Sequence, residues 1–164
     1  AENANFGGRY KVTFSQGTED EYPGIGDFVQ KGTKLSGTFL TESGDYRFLE
    51  GNVSGNKASL SCFDGSHAFL FEMKKQGDDL LGEFRSGTHH RESFEGVMDE
   101  KASLTSGFEL VKIVRPDGVR FVLPNTEGKT VDTQNEPYKG RVKVYEIMGS
   151  WCPNCMDATT FLTE

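Results

Sequence analysis

The chain has 164 residues and a formal net charge of −7 at pH 7, and it contains no run of 18 consecutive apolar residues. The negative charge and the scattered lysines and arginines argue against nucleic-acid binding, which needs clustered cations to neutralise phosphates. The absence of a long apolar run argues against a membrane-spanning helix. Aromatic residues make up 12% of the chain and are accompanied by 20 glycines, which favours strands joined by tight turns.

Residues 8–98 show a period of two that is typical of half-buried strands. Seven runs carry it: RYKVTF, KLSGTFL, DYRFLEG, KASLSCF, HAFLFEM, DDLLGEF and RESFEGV. Glycine-containing turn signals separate the runs at the spacing of a hairpin meander. The pattern predicts a mainly β fold, with an antiparallel meander barrel or sandwich of about eight strands. Gly37 and Gly82 fall at inward positions, where a small barrel bends sharply.

The chain changes character after residue 98. Residues 99–107 are polar and lack a period, which predicts a linker between a barrel-like domain at 1–98 and a second domain at 108–164. In the second domain, VRFVLPNTEGKTVD predicts a hairpin around residues 125–128. RVKVYEIMG predicts a buried central strand, and CPNCMDATTFLTE predicts a helix. A strand, a short loop and a helix form the opening of an α/β unit.

Cys152 and Cys155 lie at the predicted start of this helix. With Cys152 at the N-cap and Pro153 at the first helical position, unpaired N–H groups would stabilise a thiolate. We expect the pKa of Cys152 to fall from about 8.5 to about 7 or below. Cys155, one turn further, would attack the mixed disulfide that Cys152 forms, and Trp151 would cover one side of the pair. A zinc half-site and a purely structural pair are the alternatives, although zinc needs four ligands.

Residues 119–164 resemble the thioredoxin-like superfamily, and within it the bacterial TlpA/ResA-type thiol-disulfide oxidoreductases that overlap the redoxin (AhpC/TSA) group. The motifs that carry the resemblance are F-x-L-P-N-x-E-G-K-x-V, Y-K-G-R-V-x-V and G-S-W-C-P-N-C. The resemblance implies that Cys152 is the nucleophile, Cys155 the resolving cysteine and Trp151 the flanking aromatic. Pro153 and Asn154 would be the dipeptide that tunes the redox potential.

The same resemblance implies a reductase of protein disulfides that works with a redox partner protein in the bacterial periplasm or cell envelope. Such a reductase needs no cofactor and no metal ion, and its activity is compatible with lipid anchoring of the parent protein. The family also has a cis-proline opposite the cysteine pair and further strands and helices, which would lie beyond residue 164. We therefore expect the chain to be the front part of a longer protein, with an incomplete thioredoxin-like domain and little activity of its own.

Peroxidase chemistry is disfavoured by one position in the cysteine motif. A peroxiredoxin has threonine three residues before its reactive cysteine, whereas this chain has Gly149 before Cys152. The expected reaction is therefore disulfide exchange.

The barrel domain contributes a second set of candidate residues. CFDGSHAF places Cys62, Asp64 and His67 around a predicted Asp-Gly turn, which is either an ordinary hairpin or a metal or catalytic cluster. Cys62 itself is a small buried hydrophobe, a third redox thiol or a thiol that faces a ligand. Glu50 shares the parity of Tyr46, so it either faces a ligand cavity or is turned outward by a bulge. The alternative function is a non-enzymatic domain that binds a ligand or a protein.

Overall fold

A computed structural model describes residues 2–65, 67–112, 114 and 118–163. The chain forms two compact units, residues 1–107 and 108–164. The strands of the first unit are β1 (Gly8–Phe14), β2 (Tyr22–Lys31), β3 (Lys34–Thr41), β4 (Gly44–Asp45), β5 (Leu49–Ser54), β6 (Lys57–Phe63), β7 (Ala68–Gln76), β8 (Asp79–Ser86) and β9 (His90–Met98). The remaining elements are α1 (Gly107–Leu110), β10 (Val122–Pro124), β11 (Thr130–Asp132) and α2 (Pro153–Thr163).

The first unit is a closed antiparallel barrel of eight strands. Consecutive long strands pair with each other, and β1 pairs with both β2 and β9, so the sheet closes on itself. The two-residue strand β4 pairs only with the end of β3. The predicted meander of about eight strands is confirmed, in its barrel form.

Aromatic side chains fill the barrel. Alternation along the strands turns Tyr10, Val12 and Phe14 inward from β1 and Phe71 and Met73 inward from β7, and all five are buried. The other fully buried large side chains are Phe6, Leu35, Phe39, Leu49, Leu60, Leu80 and Phe94. Burial of this much apolar surface is the main favourable contribution to folding of the unit.

Strand β2, with 10 residues the longest strand in the described part of the chain, was not predicted from the sequence. Its segment YPGIGDFVQK holds a proline and two glycines, which have low strand propensity. The structure shows why glycine stands there. A Cβ atom at Gly26 would lie 2.8 Å from ring carbons of Phe28, and one at Gly24 would lie 2.7 Å from a ring carbon of Phe14. The glycines make room for the aromatic core.

The prediction that DYRFLEG forms a single strand is wrong. Arg47 has a positive φ of 62°, which interrupts the extended backbone, and β5 begins only at Leu49. Leu49 is therefore buried, whereas Phe48 is 68% exposed. This break also reverses the parity on which the interior position of Glu50 depended.

Part of the predicted linker packs on the barrel. The N–H of Asp99 donates to the carbonyl of Arg9 at 2.9 Å, and the Arg9 Nε donates to the carbonyl of Ala102 at 2.9 Å. Ala102 is buried as a result. The chain after β9 is thus held against β1 for at least four residues beyond the last strand.

The second unit contains the predicted hairpin and helix. Strands β10 and β11 pair around a turn in which the N–H of Gly128 donates to the carbonyl of Asn125. Arg120 makes a two-pronged ion pair with Asp132, which holds the pKa of that carboxyl at about 2. Among the residues that the structure describes, no helix is long and apolar enough to cross a membrane.

The predicted central strand RVKVYEIMG does not form. Residues 142–149 have no strand structure, and Val142 and Ile147 are 97% and 96% exposed. A central strand needs hydrogen-bonded neighbours on both sides. Within the described part of this unit, β10 and β11 pair with each other and neither pairs with this segment.

Candidate functional site

The two cysteines of the second unit lie together at the start of α2. Their sulfur atoms are at disulfide-bonding distance, and their Cα atoms are 5.3 Å apart. The helix begins at Pro153, so Cys152 precedes the first helical residue. The N–H of Cys155 donates to the Cys152 sulfur at 3.3 Å, and the N–H of Met156 donates to the Cys152 carbonyl at 3.2 Å. A thiolate at Cys152 would therefore keep a backbone donor and the positive end of a helix beside it.

The residues flanking the pair are open to solvent. Trp151 is 78% exposed, and its ring lies over Gly149. Asn154 is exposed, whereas Cys152 and Cys155 are half-buried. Pro153 supplies the first helical position. The two cysteines are thus partly shielded, whereas Trp151 and Asn154 beside them in the chain are exposed.

A second group of chemically active side chains lies at one end of the barrel. At this end β1, β3, β6 and β8 finish and β2, β5, β7 and β9 begin; we call it the mouth. Two clusters meet there. We call Arg47, Cys62, Asp64 and His67 the turn cluster, and Ser15, Tyr22, Tyr46, His90 and Glu92 the tyrosine–glutamate cluster.

The turn cluster is built on the predicted Asp-Gly turn between β6 and β7. Asp64 has a side chain only 10% exposed, and one of its oxygens accepts the N–H of His67 at 2.7 Å. Its other oxygen lies 3.2 Å from His67 Nδ1 and 3.9 Å from Arg47 Nε. Burial, and then the nearby Asp64 carboxylate, raise the pKa of the Cys62 thiol. This environment keeps Cys62 protonated and makes it a poor nucleophile.

The tyrosine–glutamate cluster is a chain of hydrogen bonds that ends on Glu92. The Tyr22 hydroxyl donates to Glu92 Oε1 at 2.6 Å, and the Ser15 hydroxyl donates to Oε2 at 2.8 Å. Because the Tyr22 proton is used, the Tyr22 oxygen accepts from the Tyr46 hydroxyl, which lies 2.8 Å away. His90 Nε2 lies 3.3 Å from Glu92 Oε1.

The two clusters are continuous with each other. The Cys62 thiol lies 3.8 Å from the carbonyl oxygen of Tyr46. The ring of Phe69 is stacked on His67 at 5.6 Å and meets Tyr46 edge-on at 5.7 Å. Cys62, Asp64 and His67 are therefore brought together, as the sequence suggested.

Glu50 does not join this group. It is exposed on the outer face of the barrel, paired in register with Ser36 and Ser61 and close to Lys34. The interior placement that the sequence left open is not observed. Among the described residues, no three His, Cys, Asp or Glu side chains are arranged to hold a metal ion.

The sequence analysis did not find Tyr22, Glu92 or His90. Glu92 lies two residues before the buried Phe94 on β9, so its parity marks it as an inward carboxylate. This parity is visible in the sequence, and the same parity argument was applied to Glu50. Tyr22 was hidden because its strand was not recognised.

In the Tyr22→Phe variant, the free energy of unfolding is expected to fall less steeply at alkaline pH than in wild type. Burial, followed by the hydrogen bond to Glu92, raises the pKa of Tyr22 well above its usual range. The neutral phenol therefore favours the folded state. This contribution is complete below about pH 10, where the unfolded phenol titrates, and is lost as the pH rises towards the folded pKa.

Urea unfolding between about pH 8 and 11 measures this effect. The slopes of the free energy of unfolding against pH differ between wild type and Tyr22→Phe by at most about 1.4 kcal/mol per pH unit. Solvent screening of the half-buried ring reduces this difference. Tyr138→Phe, which removes a phenol from the other unit, is the matched control. Parallel pH profiles for wild type and Tyr22→Phe would contradict the prediction.

Comparison with known families found no family model that matches the chain, and comparison with curated proteins found no similar protein.

Proposed function

We propose that Cys152 and Cys155 are the redox centre of a thiol-disulfide oxidoreductase that reduces protein disulfides in the bacterial cell envelope. The observation that supports this most strongly is the placement of both sulfur atoms, at bonding distance, at the start of α2. The Cα separation of 5.3 Å is an ordinary one for a disulfide, and such a pair suits a reversible two-electron reaction. An oxidising compartment is one in which such a disulfide persists.

The proposed reaction has two exchange steps. The Cys152 thiolate attacks one sulfur of a substrate disulfide, forming a mixed disulfide and releasing the other substrate sulfur as a thiolate, which takes up a proton. The Cys155 thiolate then attacks the Cys152 sulfur and releases the second substrate thiolate. The substrate disulfide gains two electrons, and the dithiol of the protein is oxidised to the Cys152–Cys155 disulfide. A redox partner protein returns the pair to the dithiol.

The redox equilibrium of the chain in glutathione buffers tests this proposal. After equilibration at graded ratios of reduced to oxidised glutathione, free thiols are alkylated and counted by intact mass. We expect one two-electron transition at Cys152 and Cys155, with a potential between about −120 and −270 mV, the range spanned by thioredoxin-like proteins.

Cys62→Ser is the matched control and should leave the transition unchanged, because Cys62 is half-buried at the barrel mouth and its raised pKa keeps the thiol protonated. Two outcomes would overturn the proposal. One is a pair that never closes into a disulfide at any glutathione ratio. The other is a transition that disappears in Cys62→Ser, since the reacting partner would then be Cys62.

A further inference from the structure

We propose that the mouth of the barrel binds a small ligand carrying a primary ammonium group, with Glu92 as its counter-ion. The site lies within the first unit and involves neither Cys152 nor Cys155. The proposal is therefore independent of the proposed redox function.

The first support is the incomplete neutralisation of Glu92. Its side chain is only 9% exposed. Within the part of the chain that the structure describes, its partners are Ser15, Tyr22 and His90, and no lysine or arginine pairs with it. Burying a carboxylate without a permanent cation is costly. An ammonium group would supply that cation.

Glu92 also retains acceptor capacity. A carboxylate offers about four lone-pair positions. Two hydroxyl donors and one imidazole nitrogen occupy three of them. One position is left for an N–H donor that enters from the mouth, where the half-exposed ring of His90 forms part of the rim.

Aromatic rings pack closely around the two tyrosines of the cluster. The Tyr46 ring centroid lies 4.7 Å from that of Phe84, 5.7 Å from Phe69 and 5.9 Å from Phe14. Tyr22 is stacked on Phe14 at 4.8 Å. Ring faces attract ammonium groups through their quadrupoles, and the attraction strengthens as water is excluded. A buried carboxylate hydrogen-bonded to a tyrosine of this aromatic group therefore suits an organic cation.

The loops around the mouth are strongly acidic. They comprise residues 15–21, 42–48, 64–67 and 87–89, and Arg47 is their one lysine or arginine. Their carboxylates are Glu19, Asp20, Glu21, Glu42, Asp45 and Asp64. Charges of one sign around a concave opening raise the local concentration of the opposite ion. The field at the mouth therefore favours cations and disfavours anions.

Backbone strain is concentrated at the same end. Among the described residues, the two non-glycine residues with positive φ are Ser15, at 49°, and Arg47, at 62°. Ser15 donates to Glu92, and Arg47 approaches Asp64. Such conformations persist only where surrounding contacts hold them, and they gather at functional sites. Here they place one residue of each cluster at the mouth.

Titration of the full chain with benzylammonium chloride tests the site, with neutral benzyl alcohol as the comparison probe. Amide chemical shifts are followed by NMR. We expect saturable shifts at Tyr22, Tyr46 and Glu92 with benzylammonium and much weaker ones with benzyl alcohol. Glu92→Gln should weaken benzylammonium binding at least about tenfold, the loss expected for one hydrogen bond to a charged group.

Glu95→Gln is the matched control, because Glu95 lies on the same strand but is exposed on the outer face. It should bind as wild type does. If Glu92→Gln does not fold, neutralising the exposed loop by Glu19→Gln, Asp20→Asn and Glu21→Gln serves instead, with binding about threefold weaker. Equal binding of the two probes, or unchanged binding in the folded Glu92 variant or in the loop variant, would overturn the proposal.

Discussion

Phe39→Ala is expected to destabilise the first unit by about 3–5 kcal/mol, the cost of truncating a buried phenylalanine. Phe39 is fully buried at the centre of the aromatic core. Its ring stacks on Phe71 at 4.4 Å and contacts Phe94 at 5.1 Å, Phe28 at 5.2 Å and Phe14 at 5.6 Å. Because these neighbours are rigid rings on four different strands besides β3, they cannot collapse into the space that the substitution leaves.

Urea unfolding followed by circular dichroism measures the loss. A domain of this size has a total stability of about 5–15 kcal/mol, so the variant would be marginal at 25 °C or unfolded. Phe63→Ala is the matched control, since Phe63 is 72% exposed and its truncation opens no cavity. A loss below about 1 kcal/mol for Phe39→Ala would mean that the core is loosely packed around this ring.

The barrel was predictable because its core is periodic. In segments such as RYKVTF and KASLSCF, every second side chain is apolar and the turns contain glycine, so local pattern and final structure agree. β2 was not predicted, because two of its inward positions are Gly24 and Gly26, which have no side chain to complete an apolar pattern. The rings that fill this space are Phe14 of β1 and Phe28, two residues beyond Gly26 on β2 itself, and the need for glycine is visible only when these rings are in place.

The mouth could be predicted only in part for a similar reason. Cys62, Asp64 and His67 are close in sequence, and a turn signal brings them together. Tyr22 and Glu92 are 70 positions apart and meet because β1 pairs with both of their strands. Register across three strands decides that contact, and no local pattern encodes it.

For residues 141–149 the error is the opposite one, because a strand was predicted where none forms. Its β-branched composition is that of a buried strand, but strand propensity expresses the fit to a packed, paired environment and not an intrinsic backbone preference. Val142 and Ile147 have neither pairing nor cover. By contrast, the start of α2 at Pro153 was predictable, because proline at the first helical position is a local signal.

Cys155→Ser is expected to convert the proposed two-step exchange into a trap. When the reduced variant meets oxidised glutathione, the Cys152 thiolate attacks one sulfur, forms a mixed disulfide and releases one molecule of reduced glutathione. Serine cannot resolve that bond, so the glutathione adduct on Cys152 should accumulate to near one per chain. In wild type the same adduct should be short-lived, because the Cys155 and Cys152 sulfur atoms are already at bonding distance.

Cys152→Ser is the matched control and separates the roles of the two residues. It retains Cys155 within α2 but removes the Cys152 sulfur, which accepts a hydrogen bond from the N–H of Cys155. We expect adduct formation to be slower by a factor of about ten or more, because the remaining thiol lacks that stabilisation of its thiolate. Intact mass of variants that also carry Cys62→Ser counts the adducts without interference from the third cysteine. Equal rates in the two variants would mean that the helix start does not distinguish the cysteines, and the assignment of Cys152 as nucleophile would then be wrong.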